Sequence, residues 1–218
     1  MKENKILFII LLILNIILIV SLIFTIISIN SDYIMEKPII YIYPKEESEV
    51  NIKLGKPEQL LFSYPKYNND WNVIAKPNGD LTDTKTGRKL YSLYWEGKSD
   101  NKKEVEKEGF VIEGKDTATF LEEKLATLGL NEKESEEFII YWLPRLESNK
   151  YNYIRFETEN EINSNMPLEI KPEPETTIRV MMDFKSLNEK IDVQEQKLTK
   201  KERHGYTVVE WGGTEINN

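Results

Sequence analysis

The chain has 218 residues, with 29 basic and 37 acidic side chains, a formal net charge of −8 and no cysteine. The lack of cysteine excludes disulfide bonds, thiolate metal sites and a cysteine nucleophile, so a folded part must be stabilised by a packed core. The acidic balance argues against nucleic acid and anionic lipid headgroups as partners.

The most apolar segment is residues 6–29, which carry no charge and consist almost entirely of Ile, Leu, Val and Phe. At about 1.5 Å per helical residue this segment reaches roughly 36 Å, enough to cross about 30 Å of hydrocarbon with some tilt. A cleaved signal peptide usually has only about 7 to 15 apolar residues before small residues at its cleavage site. Neither property is found here, so we predict a retained transmembrane anchor.

The charges that flank the anchor predict its direction. Lys2 and Lys5 precede it, whereas Asp32 and Glu36 follow it. Because positive residues stay on the cytoplasmic side, residues 1–5 are expected to form a cytoplasmic tail of a single-pass protein of the cell membrane.

The rest of the chain is then a linker, residues 30–36, and one extracytoplasmic domain, residues 37–218. Without Lys2, Lys5 and Glu3, the exported part has a net charge of −9. An acidic surface of this kind keeps an exported domain in solution. The bias toward Lys, Asn, Ile and Glu suits a bacterial source.

The first half of the exported part predicts an antiparallel meander. Residues 39–43 are a β-branched and aromatic run between two prolines, as in a buried strand, and residues 50–54 alternate as in a half-buried one. Turn residues at 77–80 and 86–87 separate later strands. The predicted strands are residues 39–43, 50–54, 60–64, 71–75 and 90–95.

The apolar period then becomes helical, first over residues 120–128 and again over residues 138–143. Pro144 is expected to end or kink the second helix. Two helices joined by so short a turn predict an antiparallel pair on one face of the sheet. The predicted capping boxes are Thr119 with Glu122, and Asn131 with Glu134.

Strands resume in the last third of the chain, and a polar connection covers residues 185–201. The predicted strands are residues 153–157, 167–171, 178–184 and 206–211. We therefore expect an α+β fold, in which an N-terminal transmembrane helix precedes a mainly antiparallel β domain with an inserted helical hairpin.

Five short sequence motifs, which we call the sequence words, combine aromatic residues with proline or glycine. They are Lys37–Pro44 (KPIIYIYP), Tyr64–Asn69 (YPKYNN), Tyr94–Gly97 (YWEG), Tyr141–Pro144 (YWLP) and Val209–Glu215 (VEWGGTE). Together they resemble a family of uncharacterised bacterial exported or membrane-anchored proteins, over nearly all of residues 37–216. The resemblance implies the location, but it brings no activity, cofactor or catalytic residue.

Glu96 and Glu210 are the least ordinary acidic residues, because each stands beside a tryptophan and is followed by glycine within two residues. Two carboxylates about 5 to 9.5 Å apart can hydrolyse a glycoside, one as general acid and the other as nucleophile or base. The alternative is that each carboxylate binds main-chain amides at a strand end, since most acidic side chains only solvate a surface.

Trp95 and Trp211 end predicted strands and are candidate binding residues. If both are exposed, they form a platform on which sugar rings or peptide side chains can stack. Alternation along the strands favours the core for both, and Trp142 is expected to pack on a helix face.

Neither a cofactor nor a metal ion is predicted. His204 is the single histidine and lies in a polar run, so a surface position suits it better than a catalytic triad. Asp80 and Asp83 could supply oxygens to calcium, but turn formation explains their spacing better. The sequence contains no P-loop, dinucleotide-binding, nucleophile-elbow or zinc-protease motif.

The leading hypothesis is a non-enzymatic binding module at the cell surface, with cell-wall glycan or another surface protein as its partner. The alternative is a glycan-directed surface hydrolase that uses Glu96 and Glu210. A third hypothesis is an accessory subunit of another membrane protein. The most useful single observation for separating these hypotheses is whether Glu96, Glu210, Trp95 and Trp211 converge on one concave surface.

Overall fold

The computed structural model describes residues 11–19 and 33–216, and the chain divides into two compact units, Met1–Asp32 and Tyr33–Asn218. In the first unit, residues 11–19 are helical, and the rest of the predicted anchor lies outside the described residues. The described ranges hold no helix that is both long and apolar enough to span a bilayer. The transmembrane anchor therefore stays a prediction.

The second unit is rich in strands, and its first strand begins at Tyr33. Residues 33–36, expected in a linker, therefore belong to the folded domain. The strands are β1 Tyr33–Tyr43, β2 Ser48–Leu54, β3 Leu60–Tyr64, β4 Trp71–Ala75, β5 Leu81–Asp83, β6 Lys89–Leu90, β7 Leu93–Ser99, β8 Glu108–Glu113, β9 Tyr151–Phe156, β10 Leu168–Lys171, β11 Thr176–Leu187, β12 Gln194–Glu195 and β13 Thr207–Glu215.

These strands form two sheets. Sheet A has eight strands in the order β12-β8-β9-β11-β13-β1-β7-β3, and sheet B has five in the order β10-β2-β4-β5-β6. Sheet B is antiparallel throughout, as expected. Sheet A is mixed, because β11 runs parallel to β13 and β12 runs parallel to β8. The prediction of a mainly antiparallel domain thus missed two parallel pairings.

The helices are α1 Thr117–Thr127, α2 Glu132–Leu146 and α3 Glu159–Asn165. The capping box of Asn131 and Glu134 is confirmed. Helix α1 begins before the predicted cap at Thr119, and its N-terminus has no side-chain cap bond. Pro144 does not end α2, which continues to Leu146.

Sheet A is the middle layer of three. Helices α1 and α2 pack on one face, as predicted, and sheet B packs on the other. We call these faces the helix side and the sheet-B side. The helix-side core is centred on Phe138, Trp142, Val180, Met182 and Trp211. The sheet-B-side core is centred on Ile40, Ile52, Trp71, Trp95 and Val208.

Candidate functional site

Strand β1 contains a bulge opposite both of its neighbours. The pairing register of β1 shifts by one residue between Glu36 and Ile39 against β13, and between Met35 and Ile39 against β7. Lys37, inside the bulge, has a φ of 60°, which non-glycine residues seldom adopt. A bulge of this kind can re-aim a side chain, and strained backbone clusters at functional sites.

Two glycines of β13 make room for this bulge. A Cβ at Gly212 would lie 3.0 Å from the main chain of Glu36 and Pro38. A Cβ at Gly213 would lie 2.6 Å from the Met182 carbonyl oxygen and 2.9 Å from the Trp142 ring. The glycine pair therefore lets β13 continue past its predicted end while the bulge and α2 approach closely.

The bulge directs the Glu36 and Lys37 side chains to the helix side, where α2 meets them. The Arg145 guanidinium donates to Glu36 Oε2 at 2.7 Å and to Glu215 Oε2 at 2.6 Å. The Lys37 ammonium lies 5.3 Å from the ring centroid of Tyr94 and 5.5 Å from that of Tyr141. No carboxylate of the described residues forms an ion pair with Lys37, so its N–H donors are available to a ligand.

Strands β7 and β3 extend the same side of sheet A beyond α2. Phe62 lies directly opposite Glu96, and Tyr64 lies opposite Tyr94. Opposite residues of an antiparallel pair share one face, so these four side chains lie on the helix side of sheet A. The Tyr64 hydroxyl accepts from Arg88 Nη1 at 2.7 Å. Phe62 is 65% exposed, and Tyr64 is 47% exposed.

We name this surface the aromatic face. It is open at β3 and bordered by α2. Its charged neighbours include Glu96, which is half-buried, and Lys133, whose ammonium lies 4.9 Å from the Tyr91 ring centroid. The aromatic face consists of Phe62, Tyr64, Tyr91, Tyr94 and Tyr141.

Burial and nearby carboxylates raise the pKa of two phenols of the aromatic face, Tyr94 and Tyr141. Burial, followed by the nearby Glu96 carboxylate, raises the pKa of Tyr94. Burial, followed by Glu36 and Glu96, raises the pKa of Tyr141. Both hydroxyls therefore remain hydrogen-bond donors at neutral pH, next to an ammonium and several carboxylates.

The predicted acidic pair lies on opposite faces of sheet A. Glu210 is 0% exposed; its Oε1 accepts from Trp95 Nε1 at 2.8 Å and its Oε2 accepts from Arg179 Nε at 2.6 Å. Trp95 is thus on the sheet-B side, and Glu96, its neighbour in β7, points to the helix side. The hypothesis that Glu96 and Glu210 act together on one substrate is therefore inconsistent with the structure.

The predicted tryptophan platform is also not formed. Trp95 and Trp211 are both 0% exposed, and they belong to different cores on opposite faces of sheet A. The alternative reading, that both belong to the core, is confirmed. Of Glu96, Glu210, Trp95 and Trp211, only Trp95 and Glu210 are in contact, and this contact lies in the interior.

The other polar candidates form local structure. His204 is exposed, as expected, with its Nε2 3.8 Å from a Glu202 oxygen. Asp80 N donates to the Asn78 side chain at 3.1 Å, and Asp83 accepts from Lys85 N at 3.2 Å. These are the side-chain bonds of turns.

The sequence words converge on the aromatic face although they are far apart in the chain. Tyr64, Tyr94 and Tyr141 come from three of them, and Lys37 and Glu215 come from the other two. The sequence signal for two of these tyrosines is a tryptophan neighbour: Trp95 and Trp142 are buried, whereas Tyr94 and Tyr141 are half-buried. Comparisons with family models, curated proteins and solved structures give no match to this chain.

The aromatic face can bind but has little means of catalysis. Its rings offer flat apolar surfaces, and Lys37 and Glu96 offer a donor and an acceptor at the ring edges. The two carboxylates near the bulge, Glu36 and Glu215, are both bound by Arg145 rather than set apart across a cleft. This arrangement fits recognition of a flat ligand that carries hydroxyl or amide groups.

Proposed function

We propose that the protein is a membrane-anchored extracytoplasmic binding module whose aromatic face holds cell-wall glycan. The observation that carries the proposal is the aromatic face, whose five rings come from β3, α2, β7 and the residues just before β7 on the helix side of sheet A. Sugar rings stack on aromatic faces, while their hydroxyls use the charged groups at the ring edges.

The charges near the aromatic face favour a neutral glycan. Lys37 and Arg145 are interspersed with Glu36, Glu96 and Glu215, so the surface offers both signs to hydroxyl and acetamido groups. A strongly anionic polymer would be repelled by the exported part, because that part has a net charge of −9. The anchor predicted at residues 6–29 would hold such a module at the membrane, next to the wall.

The first experiment measures co-sedimentation of the domain with isolated wall material and its binding to a glycan array. Residues 33–218 are suitable because both cores lie within them. We expect binding, and we expect Tyr94→Ala and Tyr141→Ala each to weaken it at least about tenfold, which corresponds to about 1.4 kcal/mol. Tyr94→Phe keeps the ring and should retain most of the binding.

The matched control is Tyr151→Ala, which removes a partly exposed tyrosine from β9, elsewhere in sheet A. This variant should bind as the parent does. Treatment of the wall material with glycan hydrolases should release the protein, whereas protease treatment should not. The opposite pattern would replace the glycan with a surface protein, and a folded domain that binds neither material would refute the proposal.

A further inference from the structure

Strand β11 extends beyond the end of its neighbour β9. It pairs with β13 from Thr176 to Phe184, but its pairing with β9 begins only at Met182. Residues 176–180 therefore have a strand on one side only. This stretch is an open sheet edge within the domain, and we call it the β11 edge.

The hydrogen bonds of β11 show which groups face the open side. Thr176 N donates to Tyr206 O at 3.0 Å, and Phe184 O accepts from Ile216 N at 2.8 Å, so even-numbered residues bond toward β13. Met181 O accepts from Glu157 N at 2.9 Å on the other side. By alternation, the N–H and C=O groups of Thr177 and Arg179 point to the open side.

These main-chain groups lack partners and are accessible. No residue of the part that the structure describes bonds to the main chain of Thr177 or Arg179 on the open side. Thr177 is exposed. Arg179 is partly exposed although its side chain, held by Glu210 and Asn163, is only 4% exposed, so its accessible part is the main chain.

A cavity borders the β11 edge on each face of the sheet. The cavity on the sheet-B side has a volume of about 440 Å³, and that on the helix side has a volume of about 180 Å³. Thr177 and Arg179 line both of them. A strand that added to this edge would direct alternate side chains into the two cavities.

The two cavities differ in chemistry. Glu159, Glu169 and Glu173 line the larger one together with Lys171 and Arg179. Lys171 pairs with Glu169 at 2.6 Å, Arg179 pairs with Glu210, and Glu159 lies 3.7 Å from Lys201. Glu173 forms no ion pair with any described residue and leaves a negative charge in this cavity. The larger cavity therefore suits a basic side chain. The apolar residues that line the smaller one are Leu128, Phe156, Ile178, Val180 and Leu198.

We propose that the β11 edge binds an extended peptide segment of a partner protein by strand addition. The peptide bonds to the main chain of Thr177 and Arg179, with basic side chains on the sheet-B side and apolar side chains on the helix side. This site is separate from the aromatic face and does not depend on the glycan proposal.

The test uses the peptide acetyl-Lys-Val-Lys-Val-Lys-Val-Lys-amide and amide hydrogen exchange followed by NMR. In the free protein, the amides of Thr177 and Arg179 should exchange at least about 100-fold faster than those of Ile178 and Val180, because only the latter are bonded to β13. Saturating peptide should slow the Thr177 and Arg179 amides at least about tenfold.

N-methylated peptides supply the matched control. In an antiparallel pair, the peptide residue opposite Arg179 exchanges main-chain hydrogen bonds with it, and the two side chains lie on the same face. The lysines take these positions because their side chains lie on the sheet-B side. The lysine amides therefore point to β11, and the valine amides point away. N-methylation of the lysines should abolish the protection, whereas N-methylation of the valines, at the same charge and composition, should preserve it. Equal effects of the two methylations, or no protection of Thr177 and Arg179 at millimolar peptide, would overturn the proposal.

A pair of proline variants tests the edge without a ligand. Thr177→Pro removes an unbonded N–H and should leave the thermal midpoint almost unchanged, while it weakens peptide binding at least about tenfold. Ile178→Pro removes an N–H bonded to β13 and should lower the midpoint strongly. If Thr177→Pro is as damaging as Ile178→Pro, the Thr177 amide is bonded and the edge is closed.

Discussion

Neighbouring residues of strand β7 differ completely in their surroundings. Trp95 is fully buried beneath sheet B and donates to Glu210, whereas Tyr94 and Glu96, on either side of it, are partly exposed beside Lys37. One face of the strand is core, and the other is available to a ligand. The difference arises because sheet B covers β7 on one side, while α2 stops short of it on the other.

The charged groups of sheet A follow the same division. On the sheet-B side, Lys103 Nζ lies 2.5 Å from Glu157 Oε1 and 3.0 Å from Asp183 Oδ1, with side-chain exposures of 7% or less. On the helix side, Arg145 and its partner Glu36 have side chains that are 33% and 27% exposed. The buried charges should govern stability, and the exposed ones should govern binding.

The largest expected effect comes from the buried pair. Glu210→Ala removes the acceptor of Trp95 and leaves the buried Arg179 guanidinium without its carboxylate. The free energy of unfolding in urea should fall by about 3 to 5 kcal/mol. Glu210→Gln keeps an acceptor for Trp95, so its free energy of unfolding should lie between those of the parent and of Glu210→Ala.

Glu96→Ala is the matched control from the opposite face of the sheet. Its side chain is half-buried, so the free energy of unfolding should change by less than about 0.5 kcal/mol, while binding to wall material weakens. Equal loss of stability in Glu96→Ala and Glu210→Ala would abolish the distinction between the two faces.

The second effect is a dependence of stability on pH. Burial, and then the Glu157 carboxylate, raise the pKa of Asp183 to about 7. Lys103 and Arg155 act in the opposite direction. Arg155 also donates to Glu161. The folded protein thus keeps a proton that the unfolded chain releases near pH 4. The stabilising contribution of that proton is complete below about pH 4 and is lost as the pH rises through 7.

Asp183→Asn removes this titration. At each pH, the stability difference is the free energy of unfolding of the parent minus that of Asp183→Asn. This difference should decrease by on the order of 2 kcal/mol between pH 4 and pH 7. Urea denaturation at several pH values measures it. A constant difference between the parent and Asp183→Asn would assign the proton to another group.

The sequence predicted elements whose signals are local. The alternation of β2 and the capping box of α2 depend only on neighbouring residues, and the structure has both. Helix α3 was missed although Thr158 and Glu161 form a capping box that the sequence displays. The two-residue strand β12 has no pattern long enough to detect, because its pairing depends on β8, which lies far away in the chain.

The site was harder to predict, because exposure depends on other layers. The pattern of β7 shows that Trp95 and Glu96 face opposite sides, but it does not show which side a second sheet covers. Trp95 and Trp211 are binding candidates because of their large aromatic side chains, but the same property favours their burial in the core. The bulge at Lys37 could not be foreseen either, because it forms only opposite Gly212 of β13.

A small effect on stability is expected at the bulge itself. Lys37 has a φ of 60°, a conformation that asparagine tolerates better than most residues, so Lys37→Asn offsets the lost ring contacts by relieving backbone strain. The free energy of unfolding should change by less than about 1 kcal/mol, while binding to wall material falls at least about tenfold. Lys37→Arg, which keeps the cation, should retain binding. A loss of stability above about 2 kcal/mol in Lys37→Asn would mean that this half-buried charge supports the fold as the buried ones do.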